Sequence, residues 1–147
     1  MKLSTRSRYG VRLLIELGLN QDKGSVQLNS IAQSQDISEK YLGQLVIQLK
    51  GAGIISSERG KTGGYRLVKE ARLLTLREVV EKLEGGLSLV DCVDDTVDCN
   101  RQNICVTRDL WKELSECMID FLESVTIQDL VDRTVKARLK NNISYDI

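Results

Sequence analysis

Apolar residues recur every three to four positions along most of the chain, and this spacing predicts a mainly helical protein. The first helix is predicted over residues 4–19. A short second helix, capped by Asn29, ends near Ser34, and a tight turn leads to a third helix that Ser38 caps. The third helix has one apolar face, because its apolar residues fall at positions i, i+3, i+4 and i+7: Leu42, Leu45, Val46 and Leu49.

A hairpin and three more helices complete the pattern. Residues 26–28 are compatible with a short strand, and two further strands flank the glycine-rich turn GKTGG. A capping box at Thr75 begins the fourth helix. The elements after the third helix are predicted over residues 54–59, 65–68, 76–85, 107–125 and 126–138. This order predicts a winged helix-turn-helix, in the class of mainly α folds with a small β wing, followed by a long dimerisation helix.

Charge is unevenly distributed, although the formal net charge is zero. Residues 1–66 carry ten Lys and Arg against five Asp and Glu, whereas residues 86–132 carry three against eleven. The first half therefore suits an anionic partner such as DNA, with scattered surface charge as the alternative. The chain shows neither a secretory signal nor an apolar run of membrane-spanning length, so we expect a cytoplasmic protein without a membrane partner.

The polar face of the third helix suits the major groove of DNA. Gln44 can make a bidentate contact to adenine, and Ser38 lies at a helix N-terminus that can bind phosphate. Tyr41 either bonds a phosphate through its hydroxyl or packs through its ring. The hairpin offers basic side chains for the minor groove unless it is only a solvated turn: Arg59, Lys61 and Arg66.

Three of the four cysteines lie in a stretch of little periodicity, residues 87–106, which we call the cysteine-rich loop. Their spacing is C-x6-C-x5-C: Cys92, Cys99 and Cys105. In a reducing compartment such clusters bind metals or act in redox chemistry, so we expect three thiolates to converge on one metal centre. Zinc, a metal-free thiol switch and incidental cysteines are the alternatives. Cys117 is expected to pack as a small core residue.

The predicted long helix carries two apolar stripes where a helix covering its own domain needs one. One stripe contains Leu110, Leu114, Cys117 and Phe121, and the other contains Trp111, Met118, Leu122 and Val125. We therefore expect one stripe to pack within the chain and the other against a second subunit of a homodimer.

Four segments resemble the bacterial IscR-type regulators: MKLSTRSRYG at residues 1–10, ISEKYLGQL at 37–45, RGKTGGYRL at 59–67 and CVTRDLW at 105–111. The resemblance covers residues 1 to about 138. It implies a homodimeric DNA-binding repressor or activator that carries an iron–sulfur cluster, with [2Fe–2S] favoured over [4Fe–4S]. The implied cluster ligands are Cys92, Cys99 and Cys105, and the implied DNA contacts are Ser38, Lys40, Tyr41, Gln44 and Arg59, to which the wing adds Lys61.

Three positions depart from that family's pattern. Gly43 stands where some relatives carry a Glu that shapes operator choice. Arg108 stands where relatives often carry a His cluster ligand, and Arg8 stands where nitric-oxide sensors carry an Asp. The fourth ligand is thus left open between an exogenous molecule, a group from the partner subunit, and these side chains of the chain itself: Asp91, Asp94, Asp95, Asp98, Thr107 and Asp109.

These inferences divide the chain into a DNA-binding domain, a cluster-binding loop, a dimerisation helix with a C-terminal helix, and a flexible tail, over residues 1–86, 87–106, 107–138 and 139–147. The leading hypothesis is a regulator of iron–sulfur biogenesis or redox stress genes whose cluster state sets operator affinity. The alternative is a zinc- or thiol-based redox regulator, or a protein-interaction module, of the same fold. An enzyme is not expected, since the chain has no histidine and no phosphate-binding or nucleophile motif.

Overall fold

The computed structural model describes residues 3–94 and 98–145. Over these residues it contains six α-helices and one two-stranded antiparallel sheet: α1 (Thr5–Leu19), α2 (Leu28–Gln35), α3 (Glu39–Gly51), β1 (Ile55–Glu58), β2 (Gly64–Leu67), α4 (Leu76–Glu84), α5 (Val106–Ser124) and α6 (Ile127–Tyr145). Single turns of 3₁₀ helix lie at Ala71–Leu73 and Asp91–Val93. The predicted class, mainly α with a small β wing, is confirmed.

Side-chain caps begin three helices where the sequence predicted them. Ser4, Ser38 and Thr75 each accept a hydrogen bond from the backbone amide three residues later. The predicted cap at Asn29 is wrong, because α2 already begins at Leu28. The Asn29 side chain instead accepts a hydrogen bond from the amide of Ser30, at 2.8 Å.

Helix α1 lies at the centre of the core, in contact with α2, α3, α4, α6 and β2. Leu13, Leu14 and Leu17 on this helix are buried. A glycine allows α6 to approach it, since a Cβ at Gly18 would lie 2.7 Å from Cγ2 of Val131. The C-terminal helix therefore packs directly on α1.

The turn between α2 and α3 is tight, as the sequence predicted. Asp36 ends α2 in the left-handed conformation, with φ of 51° and ψ of 51°. The amide of Ile37 donates to the carbonyl of Ala32 at 3.1 Å, and the Ile37 side chain is buried. These contacts hold the start of α3 against the core.

Strands β1 and β2 form the predicted wing, paired from Ile55 with Leu67 to Glu58 with Gly64. The short strand predicted at residues 26–28 is reduced to one bridge, in which Val26 and Tyr65 exchange backbone hydrogen bonds of 2.8 and 2.9 Å. Leu28 already belongs to α2, which ends the pairing. A Cβ at Gly64 would collide with the Val26 carbonyl, so glycine is required where this bridge meets the hairpin.

The joint between α5 and α6 is hydrogen-bonded to the start of α4. The amide of Leu76 donates to the carbonyl of Val125, and the amide of Ile127 donates to the carbonyl of Leu74, both at 2.8 Å. The end of α5 is therefore joined to the start of α4 by direct backbone contacts.

The last helix is longer than predicted. It continues to Tyr145, so the predicted end near Arg138 is wrong, and most of the segment predicted as a flexible tail, residues 139–147, is helical; residues 146–147 lie outside the described chain. No glycine follows Gly86 and the chain has no proline, so the sequence contains no strong helix breaker here. None of the helices in the described ranges has the length and hydrophobicity that a membrane crossing requires.

Candidate nucleic-acid interface and cysteine-rich loop

The outward face of α3 is polar and accessible. Lys40 and Gln44 are exposed, on the side opposite the four buried apolar residues of the helix. Neither side chain forms a hydrogen bond or an ion pair with any described residue. Because the other face of α3 is anchored in the core, these groups project from a rigid support and remain available to a ligand.

Ser38 and Tyr41 are also used within the protein. The Ser38 hydroxyl accepts a hydrogen bond from the Tyr41 amide at 3.2 Å. The Tyr41 ring lies edge-on to the ring of Tyr9, with centroids 5.8 Å apart and an interplanar angle of 89°. Of the two interpretations of Tyr41, the structure therefore shows the one in which its ring packs.

The wing presents two unpaired basic side chains. Arg59 and Lys61 flank Gly60, and both are exposed without an ion pair to any residue of the described chain. Arg66 differs, because its Nη1 lies 3.1 Å from Oε1 of Glu58. We conclude that Arg59 and Lys61 are more available to an anionic ligand than Arg66.

A polar network beneath the turn was missed by the sequence analysis. Glu16 is only 7% exposed, and its Oε1 accepts hydrogen bonds from Nη2 of Arg138 at 3.0 Å and from Nε2 of Gln35 at 2.5 Å. Arg12 in turn donates from Nε to Oε1 of Gln35 at 2.8 Å. This network joins α6 to the last residue of α2. The sequence signal for this network was Glu16, a charged residue on the apolar face of α1, since a buried charge requires hydrogen-bond partners.

The three cysteines of the loop lie on different local structures. Cys92 belongs to the 3₁₀ turn, Cys99 lies in irregular chain, and Cys105 is the N-cap of α5; all three are half-buried and free. Arg108 links two of these segments, since its Nε donates to the carbonyl of Cys92 at 2.8 Å. Arg108 thus serves as a contact between the loop and α5.

The thiol of Cys105 has a lowered pKa. Its Sγ lies 3.3 Å from Oγ1 of Thr107, and the hydrogen bonds from Thr107 and from the backbone of Arg108 stabilise the thiolate. Because the thiolate is the form that binds metals and reacts, this sulfur is a candidate for either role.

The predicted convergence of the three sulfurs is not present in this conformation. Within residues 3–94 and 98–145, no group of three or more Cys, Asp or Glu side chains is close enough to hold a metal ion. The donor set itself suits a thiolate-bound metal group, so that the loop has to close before all three sulfurs can bind together. Asp95, one candidate for the fourth ligand, lies outside the described residues.

Helix α5 leaves one of its two apolar stripes uncovered. In the stripe that packs on the chain, Leu122 and Val125 are buried and Met118 is half-buried, while Trp111 at its start is 38% exposed. The side chains of the other stripe are all exposed: Leu110 at 53%, Leu114 at 47%, Phe121 at 63%, and Cys117. The expectation that Cys117 packs in the core is wrong for the single chain, because the Cys117 side chain is exposed together with the uncovered stripe. Such a stripe on one helix is typical of a contact surface.

Comparison with known proteins identifies the family. The model of the Rrf2 family, described as iron-dependent transcriptional regulators, matches residues 3–133. The chain belongs to the Rrf2 family. It is 39% identical to the protein Rrf2 of Nitratidesulfovibrio vulgaris over 131 residues, which cover 89% of this chain and 87% of that protein.

Two solved structures of the Rrf2 family resemble this chain. CymR, the global cysteine regulator of Bacillus subtilis, superposes with a TM-score of 0.79 at 36% identity, covering 90% of this chain and 98% of CymR. IscR of T. potens superposes with a TM-score of 0.76 at 30% identity, covering 93% of this chain and 90% of IscR. The predicted winged-helix architecture and the resemblance to bacterial IscR-type regulators are thereby confirmed.

Membership of the Rrf2 family makes this protein a transcription regulator and not an enzyme, as the sequence predicted. Its relatives include both IscR and a cysteine regulator. The family therefore establishes the general activity, whereas the molecule that this regulator senses has to be argued from its own residues.

Proposed function

We propose that this Rrf2-family chain is a cytoplasmic homodimer that reads a DNA operator with α3 and the wing. We further propose that an iron–sulfur cluster at Cys92, Cys99 and Cys105 sets its operator affinity. The observation that carries the DNA assignment is the set of unpaired polar and basic side chains on the outer face of α3 and at the wing tip. The genes that it controls are those of iron–sulfur biogenesis or redox stress.

The contacts to DNA are assigned by position. Gln44 and Lys40 face the base edges and phosphates of the major groove, whereas Arg59 and Lys61 suit the minor groove. Ser38 offers its hydroxyl and the N-terminus of α3 to a phosphate. The hydroxyl of Tyr41 is assigned to a phosphate as well, while its ring packs within the protein. The Ser38 hydroxyl can still donate a hydrogen bond while it accepts the one from the Tyr41 amide.

Matched substitutions test the DNA assignment. Gln44→Ala is expected to weaken operator binding by about tenfold, since a good base contact contributes about 1–3 kcal/mol. Asn141→Ala, which removes an exposed amide side chain on α6, away from α3, is the control. Arg59→Ala is expected to reduce the slope of log K for operator binding against log salt concentration by about one unit. Its control is Arg72→Ala, because the Arg72 side chain pairs with Glu70. Equal effects within each pair would refute the assignment.

The dimer is assigned to the uncovered stripe of α5. A two-fold axis at this stripe would bring two copies of α3 to successive major grooves, about 34 Å apart, to match a pseudo-palindromic operator. We expect Leu114→Glu to yield monomers in sedimentation experiments, with Leu139→Glu as the control on an exposed part of α6. A dimer that survives both substitutions would exclude this interface.

The cluster is assigned to the cysteine-rich loop on the chemistry of its donors. Three half-buried thiols lie within one short segment, and Cys105 forms the N-cap of the proposed dimer helix. When bound, the cluster would supply a redox-sensitive charged centre at this helix terminus, and we favour [2Fe–2S] over [4Fe–4S]. Closure of the loop around it would alter the contact between Arg108 and the Cys92 carbonyl, at the first turn of α5.

The change in DNA affinity would follow from two dimer states. Because the end of α5 is hydrogen-bonded to the start of α4, a shift of α5 changes the spacing or order of the two recognition helices. A bound cluster would stabilise the dimer state that is compatible with the closed loop. The operator affinity of the protein would then be the affinity of that state.

Anaerobic purification tests this assignment directly. Iron and sulfide analysis with absorption spectra should show a cluster in the wild type and in Cys117→Ala, whose cysteine lies outside the loop, but not in Cys92→Ala. In operator titrations, the affinity of the cluster-loaded protein should then differ from the affinities of the apoprotein and of Cys92→Ala. Equal operator affinity for all three would remove the sensing role while leaving DNA binding intact.

A second candidate is a zinc- or thiol-based regulator of the same fold. The lowered pKa of the accessible Cys105 thiol favours it, because thiolates react with oxidants and bind zinc. A colourless preparation loaded with zinc, or one free of metal whose DNA affinity changes on oxidation, would select this candidate over the iron–sulfur regulator.

A further inference from the structure

Ile47 is an apolar residue in the middle of the polar face of α3. Its side chain is 72% exposed, and among the described residues it is the one large exposed apolar side chain on this helix. It lies three residues after Gln44 and seven after Lys40, so all three project from the same side of the helix. The neighbouring Val46 already fills the core position, and burial therefore does not account for the isoleucine.

The surface beside Ile47 is open. A Cβ at Gly43, one turn earlier, would have no heavy atom within 4 Å. Helical side chains lean towards the N-terminus of their helix, so the Ile47 side chain inclines towards the position that Gly43 leaves vacant. Because Gly43 has no side chain, the short branched side chain of Ile47 can contact a flat ligand surface. A longer side chain at position 43 would keep such a surface at a greater distance.

The length of this strip suits successive base pairs. Residues 40 to 47 span about 10 Å along the helix axis, which corresponds to roughly three base pairs. Among the base edges of the major groove, the 5-methyl group of thymine is the apolar one, and aliphatic side chains contact it. An aliphatic group that faced the amine of cytosine would leave that donor without a partner.

We propose that Ile47 is a specificity-determining residue that reads the 5-methyl group of a thymine, next to the base that Gln44 contacts. The inference rests on the proposed function, in which α3 is the recognition helix. It adds to that function an operator preference for T·A at a defined position, carried by a side chain that forms no hydrogen bond.

Replacement of thymine by deoxyuridine isolates the methyl group. An operator is first selected with the wild-type protein from a pool of random duplexes, and each thymine is then replaced singly by deoxyuridine. We expect one or two replacements to weaken wild-type binding by about fourfold, which corresponds to loss of one buried methyl group. The Ile47→Ala variant should bind the unmodified operator about fourfold more weakly and should not respond to deoxyuridine at those positions.

The control is Leu73→Ala, which removes an exposed apolar side chain away from α3 and should retain the wild-type response to deoxyuridine. Circular dichroism confirms that each variant is folded. If the wild type tolerates every replacement, or if Ile47→Ala keeps the wild-type pattern, the inference about Ile47 is overturned while DNA binding stands. A wild-type protein without specific, salt-dependent duplex binding would overturn the proposed function and this inference together.

Discussion

Helix α3, the proposed recognition helix, and the cysteine-rich loop differ in how firmly the rest of the chain holds them. Four apolar residues of α3 are buried, and its first turn is capped by Ser38. By contrast, no apolar side chain between Leu83 and Leu122 is buried in the described part of the chain. The contacts of the loop are local and polar, and they include one turn of 3₁₀ helix, the backbone turns at residues 99–104 and the hydrogen bond from Arg108 to Cys92.

This difference suits two different tasks. A helix that reads base edges has to present its side chains in one geometry, because hydrogen bonds to base edges in the groove form only at well-defined positions. A segment that responds to a bound group has to change its conformation at small cost, and such segments have few buried apolar contacts. Substitutions in the two kinds of segment should therefore differ in their effects.

Two matched isoleucines should show the largest difference. Ile31, on α2, is 1% exposed, whereas Ile104, in the loop, is 73% exposed. We expect Ile31→Ala to lower the free energy of unfolding by about 2–5 kcal/mol and Ile104→Ala to change it by less than about 0.5 kcal/mol. Urea denaturation measures both. A comparable loss in the two variants would show that the loop contributes to the core after all.

Two matched glycines test how tightly the C-terminal helix is packed. Gly18→Ala places a Cβ 2.7 Å from Val131, so it should destabilise the protein by about 1–3 kcal/mol. Gly43→Ala enters open space on the exposed face of α3, and it should stabilise the helix by about 0.5–1 kcal/mol. Thermal unfolding of both variants checks the opposite signs. A neutral Gly18→Ala would indicate that α6 can move away from α1 readily.

Arg108 provides a test of the loop alone. Arg108→Ala removes the hydrogen bond to the Cys92 carbonyl, and we expect a local loss of about 1 kcal/mol. Amide hydrogen exchange should accelerate about fivefold around residues 91–94, while α3 stays protected. Arg101→Ala, an exposed residue of the same loop, is the control. An unchanged exchange pattern would mean that other contacts hold the loop.

The smallest effect is expected at Glu84, just before the loop. Partial burial raises its pKa, but hydrogen bonds from Ser7 and Ser4 outweigh this and hold the pKa below its ordinary value of 4.5. Because the folded-state pKa is lowered, the stabilisation is present above pH 4.5 and is lost as the pH falls through the folded-state value. In thermal unfolding, Glu84→Gln should be slightly less stable than wild type at pH 7, with the difference vanishing in acid. A difference that does not depend on pH would exclude this role.

Local features were predictable because they depend on residues within one or two helical turns. The apolar spacing of Leu42, Leu45 and Leu49 was sufficient to predict α3 and its buried face. The hydroxyl groups at Ser38 and Thr75 were sufficient to predict where helices begin. The winged helix-turn-helix followed from the order of such elements, and the family comparison confirmed it.

The sequence by itself determined the six helices and the hairpin in their order, the buried face of α3 and the three cysteines as candidate ligands, but not the end of α6. Only the tertiary structure decided that the Tyr41 ring packs on Tyr9, that Glu16 joins α6 to the end of α2, and that the three sulfurs are not gathered. The reason is physical: capping and periodicity act between near neighbours, whereas these arrangements depend on how distant segments approach. Arg138 and Glu16 are 122 residues apart, and no local pattern encodes their contact.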